Sequence, residues 1–329
     1  MSTETAVKAT KYWQGISQAL VEEMERDERV VLVGEDVGRA GGPYGLTRGL
    51  QDRFGDTRVR DTPISEAVLM GLGVGGGAVG LRPIVEVMFF DFAMLMMDQI
   101  VNQAAKYRYF TAGHALPLTI RAMCGAGGHN GAQHSQNIEA WFCAVPGLKV
   151  VMPSNARDAK GLLKSAVRDD DPVLVIETLG LLRDKFDVPQ VDDLLIPIGV
   201  ADVRRAGDDV TVVATGRMVD RAVAAAETLA EEGISVEVID PRTIAPLDTD
   251  TILGSVARTG RLVVAQEALA PCSVGSEICA LAVEQCFAEL KAAPVRVTPP
   301  FVNVPTPLPL VEARVPQADT IADAVRAQF

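Results

Sequence analysis

Short apolar runs alternate with helical patterns along most of this chain, and this alternation restricts the possible fold more than any other feature. Between the runs lie helix candidates, of which residues 155–167 are the clearest because their apolar residues share one face and Asn155 can cap the start. Strands that alternate with helices imply a mostly parallel sheet with helices on its faces. The predicted strands of the first half are "RVVLVGED", "RPIVEVMFF", "LPLTIRAM", "LKVVMP" and "PVLVIE".

The rhythm breaks at Gly180–Pro197, where "RDKFDVPQVDD" is polar and turn-prone. It resumes with three predicted strands, "DVTVVATG", "SVEVID" and "GRLVVAQE", and with a helix that ends at Gly233. A chain of 329 residues is long enough for two ordinary domains. The pattern therefore predicts two α/β domains with mostly parallel sheets, residues 1–185 and a smaller domain of residues 201–329, joined by a linker at 186–200.

Charge and cysteine usage favour a cytoplasmic protein. The net charge is −12 and no basic block offsets it, which argues against nucleic acid or an anionic membrane as partner. The five cysteines form no C-x-x-C pair and fit reduced thiols. Residues 1–12 contain no apolar core of a secretory signal. The longest weakly charged run, 67–81, is short for a membrane span and rich in glycine.

The glycine-rich segment 71–76 satisfies the G-x-G-x-x-G pattern of dinucleotide-binding loops. Such a loop must directly follow a buried strand. Here Thr62 and Pro63 have the character of an N-cap and a first helical residue, so the glycines are predicted to lie inside a helix. Each glycine in a helix costs roughly 1 kcal/mol relative to alanine. This cost indicates a packing reason, such as another backbone pressed close.

Glu66 heads that glycine-rich helix. A carboxylate in the first turn of a helix is stabilised by the helix dipole, and this explanation needs no catalysis. However, the segment after Glu66 is almost wholly apolar. A carboxyl drawn into a poorly solvated place has a raised pKa and can donate and accept a proton.

The stretch "CGAGGHNGAQHSQNIEAW" holds a second group of candidates, Cys124, His129, His134 and Glu139. These are metal-ligand residue types, but zinc ligands are usually spaced more tightly. Alternatively the loop displays His134 for acid-base or hydrogen-bond work, or His134 is an ordinary surface histidine. No G-x-S-x-G, Walker or H-E-x-x-H motif is present. The residues alone thus indicate an α/β enzyme with Glu66 and His134 as candidates.

The chain also resembles a known family in several ordered stretches. They are "VGEDVG", "GLTRGLQDRFGDTRVRDTPISE", "GLRPIVEVMFFDF", "DQIVNQAAKYRY", "GAQHSQ", "PGLKVVMPSNARDAKGLLKSAVRDDDPV", "DPRTIAPLD" and "GSEICALA". In this order they are similar to the beta subunits of thiamine diphosphate-dependent 2-oxo acid dehydrogenases, which include the pyruvate, branched-chain and acetoin enzymes. The resemblance covers Val33 to about Ala282 and implies a transketolase-like fold, with a pyrimidine-binding domain and a smaller C-terminal domain.

The resemblance assigns roles to single residues. Glu66, in "DTPISE", is expected to hydrogen-bond the aminopyrimidine nitrogen and to promote the tautomer that deprotonates the thiazolium carbon. Phe92 is expected to stack on the pyrimidine, with Met88 and Ile64 nearby. His134, in "QHSQ", is expected to bind the 2-oxo acid and to assist acyl transfer to a lipoyl group.

Further expectations from the resemblance concern ions and partners. A structural potassium ion is held in some relatives at positions that match Leu118, Ala166, Val167, Asp169 and Asp171, mostly through backbone carbonyls. The chain lacks the G-D-G…Asn motif that holds magnesium and diphosphate, so an alpha subunit is expected to hold the magnesium in an α2β2 heterotetramer. A lipoyl-bearing acyltransferase is expected to dock on the C-terminal domain.

The sequence leaves the substrate open. Family members usually carry histidine where this chain has Ala144, and "TIRAMCGAG" is similar to acetoin-cleaving relatives. Oxidative decarboxylation of a 2-oxo acid, pyruvate or branched-chain, is therefore the first hypothesis, and carbon-carbon cleavage of acetoin is the second. A non-catalytic scaffold subunit is the third, although the presence of both Glu66 and His134 speaks against it.

Overall fold

The structure is a computed structural model, and it describes residues 6–329. The first five residues of the N-terminal segment discussed above lie outside the described part. The chain divides into two compact units: the first comprises the chain up to Cys124 together with Phe142–Ile198, and the second comprises Gly125–Trp141 together with Gly199–Phe329. None of the helices in residues 6–329 has the length and apolar character needed to cross a bilayer.

The strands and helices alternate as the sequence predicts. In chain order, the helices are α1 (Tyr12–Arg26), α2 (Leu50–Phe54), α3 (Glu66–Ala78), α4 (Tyr107–Phe110), α5 (Ala140–Cys143), α6 (Ala156–Arg168), α7 (Met218–Glu231), α8 (Thr249–Thr259), α9 (Val274–Cys286), α10 (Leu308–Arg314) and α11 (Ala318–Arg326). The strands are β1 (Val7–Lys11), β2 (Val30–Gly34), β3 (Val59–Asp61), β4 (Arg82–Val87), β5 (Thr119–Cys124), β6 (Lys149–Val151), β7 (Val173–Thr178), β8 (Lys185–Pro189), β9 (Asp202–Arg205), β10 (Val210–Ala214), β11 (Val236–Asp240), β12 (Thr243–Ala245), β13 (Leu262–Ala265) and β14 (Val295–Val297).

The first unit is built on a parallel sheet whose strands run in the order β6-β7-β5-β4-β2-β3. Strands β5 and β7 are buried along their whole length, as expected for a sheet covered on both faces. Helix α6 begins where Asn155 accepts a hydrogen bond from the Asp158 backbone N–H at 2.9 Å, which confirms the predicted cap. Its apolar face joins α1 in one core.

The second unit contains a sheet in the order β14-β13-β10-β11-β9, parallel except for β9. Helix α7 buries Val219, Ala222 and Leu229 in the core of this unit and is followed by Gly233 with φ of +81°. A left-handed glycine at this place is a common helix stop, so the predicted end is confirmed.

The predicted linker contains regular structure. Residues 185–189, in the polar stretch "RDKFDVPQVDD", form β8, which pairs antiparallel with β1 so that Val7 lies opposite Pro189. The first unit continues to Ile198. Neither edge strand was predicted, because each is short and largely polar and its partner lies far away in the sequence.

Candidate active site

The carboxyl ends of neighbouring parallel strands meet at one edge of the first unit's sheet. Strand β2 ends at Gly34, β3 at Asp61 and β4 at Val87. Open α/β sheets bind ligands in the crevice outside these ends. The residues that follow β2, β3 and β4 are therefore the candidates for a ligand-binding or catalytic site.

Glu66 lies at this edge as the first residue of α3 and is half-buried. The loop before it is fixed by a hydrogen bond from the Thr62 N–H to the Gly34 carbonyl at 2.9 Å. The predicted helix start at Thr62 and Pro63 is wrong: Ser65 is the N-cap, and it makes no side-chain cap bond. The Thr62 backbone is instead hydrogen-bonded to the end of β2, and the helix begins at Glu66, after the loop.

Glu35 lies beside Glu66, and the sequence analysis missed it. Burial raises the pKa of Glu35, and the neighbouring Glu66 and Asp36 carboxylates raise it further. Its Oε1 is buried and has no hydrogen-bond partner in residues 6–329. The available signal was its place at the end of the predicted strand "RVVLVGED". The edge therefore holds a cluster of carboxyl groups, of which Glu35 keeps its proton more readily than an exposed glutamate.

The other predicted cofactor residues also belong to the first unit. Ile64 lies in the loop before α3 with 82% of its surface exposed. Met88 directly follows β4. Phe92 is half-buried in the 3₁₀ segment Phe90–Met96 and packs edge-on against Phe89, with 6.5 Å between ring centroids. The structure thus places Ile64 in the loop just before Glu66, and Met88 and Phe92 on one continuous segment after a neighbouring strand.

An ion cluster is buried within the same sheet. Arg121, 2% exposed, donates to Glu86 Oε2 at 2.6 Å and to both oxygens of Glu177 at 2.7 and 2.9 Å. Burial raises the pKa of Glu86, although Arg121 lowers it in part. Together with Met88, these three side chains line a small hollow. The cluster supports the segment that carries Met88.

His134 belongs to the second unit, in the segment Gly125–Trp141. It is half-buried, and its backbone N–H donates to the Gly131 carbonyl at 3.4 Å. The zinc alternative rested on this loop. Among residues 6–329, no group of three or more histidine, cysteine or acidic side chains is arranged to hold a metal ion. Ala144, where relatives usually have histidine, is exposed.

The predicted potassium ligands lie around the end of α6. The carbonyls of Val167 and Asp169 each accept a hydrogen bond from Arg82 Nη1 at 3.0 Å. The Leu118 carbonyl accepts from the Val173 N–H at 2.9 Å. A cation bound to these carbonyls would have to tolerate the Arg82 guanidinium beside it. The predicted set is completed by Ala166, whose carbonyl accepts from the Asp169 N–H, and by Asp171, whose carboxylate pairs with Arg108.

Comparison with known proteins places this geometry in a family. Residues 8–185 match the family model described as "Transketolase, pyrimidine binding domain", and residues 199–321 match "Transketolase, C-terminal domain". The chain belongs to the transketolase-like family of dehydrogenase beta subunits.

Members of this family resemble the chain over nearly its whole length. It is 47% identical over 322 residues to the acetoin:2,6-dichlorophenolindophenol oxidoreductase subunit beta of Cupriavidus necator, covering 94% of this chain and 95% of the relative. It is 45% identical over 303 residues to the 2-oxoisovalerate dehydrogenase subunit beta of Bacillus subtilis, covering 92% of each. With the pyruvate dehydrogenase E1 component subunit beta of Rhizobium meliloti it shares 43% over 326 residues, 99% of this chain and 70% of the relative.

A solved structure shows the same fold. It is titled "Split gene transketolase, inactive beta4 tetramer", and it matches with a TM-score of 0.78 and 25% identity over 95% of this chain and 96% of that one. The expected transketolase-like architecture is therefore confirmed. The names of the sequence relatives describe beta subunits of an oxidoreductase and of two dehydrogenases.

Proposed function

We propose that this chain is the beta subunit of a thiamine diphosphate-dependent 2-oxo acid dehydrogenase. In this enzyme a 2-oxo acid, pyruvate or a branched-chain acid, is oxidatively decarboxylated, and its acyl group passes to the lipoyl group of an acyltransferase. The observation that carries the proposal is the position of Glu66. It begins α3 at the carboxyl edge of the parallel sheet, next to Glu35, whose buried Oε1 has no hydrogen-bond partner in the described chain.

The residues at this edge fit the cofactor. Glu66 provides a carboxyl group. The exposed Ile64 and the half-buried Met88 and Phe92 provide apolar surface. These are the groups that a heteroaromatic ring with a hydrogen-bonding nitrogen requires. When bound, thiamine diphosphate supplies the carbon nucleophile that attacks the 2-oxo group.

Each of these side chains then has a separate task. The Glu66 carboxyl holds a proton for the ring nitrogen of the aminopyrimidine and forms a charge-assisted hydrogen bond worth about 1.5–3 kcal/mol. The Phe92 ring stacks on the pyrimidine, and Ile64 and Met88 exclude water from it. His134 binds the 2-oxo acid and moves a proton during acyl transfer.

An alpha subunit supplies the remaining half of the site, including magnesium and its diphosphate ligands, in an α2β2 assembly. Helix α3 supports this proposal. Its glycines at positions 71 and 75 face open space, with nothing within 4 Å of an added Cβ. Val68, Leu72 and Val79 on the same helix are exposed by 53–80%. Small residues flanked by exposed apolar ones allow another backbone to approach closely.

The other expected ligands and partners follow the same resemblance. The lipoyl-bearing acyltransferase is proposed to dock on the second unit. A potassium ion at the Leu118, Ala166, Val167, Asp169 and Asp171 carbonyls remains a proposal, which Arg82 makes less favourable by its charge.

Acetoin cleavage by the same site is the second candidate. The relative at 47% identity is named for acetoin, and those at 43% and 45% are named for pyruvate and 2-oxoisovalerate. These values are too close to choose the substrate.

One experiment tests the proposal. The chain is co-expressed with its alpha subunit and assayed with pyruvate, 3-methyl-2-oxobutanoate and acetoin, using a dye as electron acceptor. We expect turnover of one substrate that requires thiamine diphosphate and magnesium, and a loss of about 100-fold or more in Glu66→Gln. The matched control is Glu227→Gln, an exposed acid of the second unit.

Two results would contradict the proposal. Turnover without thiamine diphosphate would show that the reaction does not depend on this cofactor. A Glu66→Gln enzyme that keeps more than about a tenth of normal turnover would remove the role of this carboxyl and would favour the scaffold hypothesis.

A further inference from the structure

The second unit contains a cavity of about 280 Å³ that neither the proposed mechanism nor the resemblance uses. Its walls come from Ala132, from residues 135–138 and 140–141, from residues 267–269 and 271–273 after β13, from residues 301–304, and from Arg314 at the end of α10. None of the proposed catalytic or cofactor residues lines it. The volume is slightly below the roughly 300–1,000 Å³ typical of drug-sized ligands, so it suits a smaller molecule.

The walls are mainly apolar and carry one unbalanced charge. Trp141, Leu269 and Phe301 provide the apolar surface. Ser135 and Asn303 add neutral polar groups, and Arg314 and Glu267 add charged ones. An apolar pocket with few polar groups is the usual composition of a site that orients a small ligand.

Arg314 is the group that requires a partner. It is only 9% exposed, and its Nε and Nη2 donate to the Val302 carbonyl at 3.3 Å each. No carboxylate in residues 6–329 approaches its guanidinium within 4.0 Å. Burial lowers the pKa of Arg314; the Glu267 carboxylate raises it in part, and the nearby Arg217 lowers it. A guanidinium has five N–H donors, and a buried charge without a counter-ion is costly.

Glu267 lines the same cavity but makes no ion pair with Arg314, because it is paired with Arg217. Its carboxylate accepts two hydrogen bonds from Arg217, at 2.7 and 2.8 Å, and a third from the Ala126 N–H at 2.8 Å. This fork-to-fork pairing occupies both oxygens of Glu267.

The other acids near the cavity do not neutralise Arg314 either, because they pair with other arginines or are only partly ionised. Glu312 lies 3.2 Å from Arg221 and 3.7 Å from Arg217. The three guanidiniums of Arg217, Arg221 and Arg314 therefore face only two paired carboxylates. Burial, with a contribution from Glu267, raises the pKa of the nearby Glu139 to about 7, so this acid supplies only part of a charge at neutral pH.

We infer that this cavity binds a small monocarboxylate with an apolar body. The carboxylate of the ligand pairs with Arg314, and its body lies against Trp141, Leu269 and Phe301. A planar carboxylate matches the guanidinium fork, and one negative charge restores the local balance. The inference is independent of the proposed function, because it uses none of the residues to which that function assigns a role.

Calorimetric titration of the full chain tests the inference, with hexanoate as the probe and hexanamide as its neutral isostere. We expect hexanoate to bind at least about tenfold more tightly than hexanamide, since only the carboxylate pairs with the guanidinium. Arg314→Gln should remove this preference. Arg326→Gln, an exposed arginine on α11 outside the cavity, should keep it.

A second variant separates loss of the site from loss of the fold. Val302 lines the cavity with 54% of its surface exposed, so Val302→Trp fills the space without removing a charge. It should weaken hexanoate binding while circular dichroism and the melting temperature stay close to those of the unmodified chain. Glu66→Gln should leave hexanoate binding unchanged, which separates this cavity from the proposed active site.

Three outcomes would overturn the inference. They are equal affinity for hexanoate and hexanamide, equal hexanoate affinity in Arg314→Gln and Arg326→Gln, and no binding at millimolar hexanoate. Hexanoate binding that is lost in Glu66→Gln and retained in Val302→Trp would also overturn it, because the ligand would then occupy the first unit.

Discussion

Glu35 and Glu66 lie together at the carboxyl edge of the parallel sheet, and the Glu66 carboxylate disfavours ionisation of Glu35. Burial raises the pKa of Glu35, and the Glu66 carboxylate raises it further. They come from the end of β2 and the start of α3, two elements that the parallel pairing of β2 with β3 brings together. Glu35 therefore keeps its proton more readily than an exposed glutamate, and it does so beside the carboxyl that is proposed to serve the ring nitrogen.

Glu35→Gln should make folding stability less sensitive to alkaline pH. Because the folded-state pKa is raised, the stability linked to Glu35 is fully present below the unfolded pKa and is lost as pH rises through the folded pKa. The variant should match the unmodified chain at about pH 4 and exceed it at about pH 8.

Urea unfolding at the two pH values measures this difference. Glu28→Gln, an exposed acid in the turn before β2, is the control. Its free energy of unfolding should differ from that of the unmodified chain by the same amount at both pH values. A Glu35→Gln variant that is less stable than the unmodified chain at the higher pH would show that the carboxylate is favourable there.

His134→Ala should separate cofactor binding from acyl transfer. We expect thiamine diphosphate affinity of the assembled enzyme to stay the same, because Glu66 and Phe92 remain. Lipoyl acylation should fall by about 100-fold, the usual effect of removing an acid-base group. The matched control is His114→Ala, an exposed histidine of the first unit. Normal acylation by the variant would leave His134 without the proposed role.

Gly71→Leu should block assembly without unfolding the chain. Nothing lies within 4 Å of a Cβ added at Gly71, so the leucine fits the isolated subunit but obstructs a backbone packed against α3. Native mass spectrometry should show at least about tenfold weaker association with the alpha subunit. Gly254→Leu on α8 is the control, because that helical glycine also faces open space. Equal association of both variants would place the interface elsewhere.

Arg121→Met should cost about 3–5 kcal/mol of unfolding free energy, because it leaves Glu86 and Glu177 buried without their cation. Adding Glu86→Gln and Glu177→Gln should recover part of the loss. Urea unfolding measures both, with Arg183→Met, an exposed arginine, as the control. A loss as small as the control's would mean that the two acids are neutral in the folded chain.

The sequence predicted the elements whose patterns are local. The buried strands β2, β4, β5, β7 and β10 appear as apolar runs, and α6 has both an apolar face and its own cap at Asn155. Helix α3 was predicted, but its start was not. The Thr62 N–H binds the Gly34 carbonyl, a partner that only the folded sheet brings within reach.

The same limit applies to the site. Glu66 could be recognised because it heads an apolar segment, whereas the role of Glu35 depends on a neighbour supplied by strand pairing. The charge surplus at Arg314 depends on which acids Arg217 and Arg221 occupy. Sequence periodicity does not reveal such pairings, since they join residues 50 and 91 positions apart.

The pairing of Val7 with Pro189 sets an order of events during synthesis. Strand β1 leaves the ribosome long before β8 has been synthesised. The hydrogen-bonding groups of β1 therefore stay unpaired while the intervening sheet is translated. The first unit closes only when the chain beyond Pro189 has emerged. Until then the backbone of β1 is unpaired, and covering it would prevent the nascent chain from pairing with a strand of another protein.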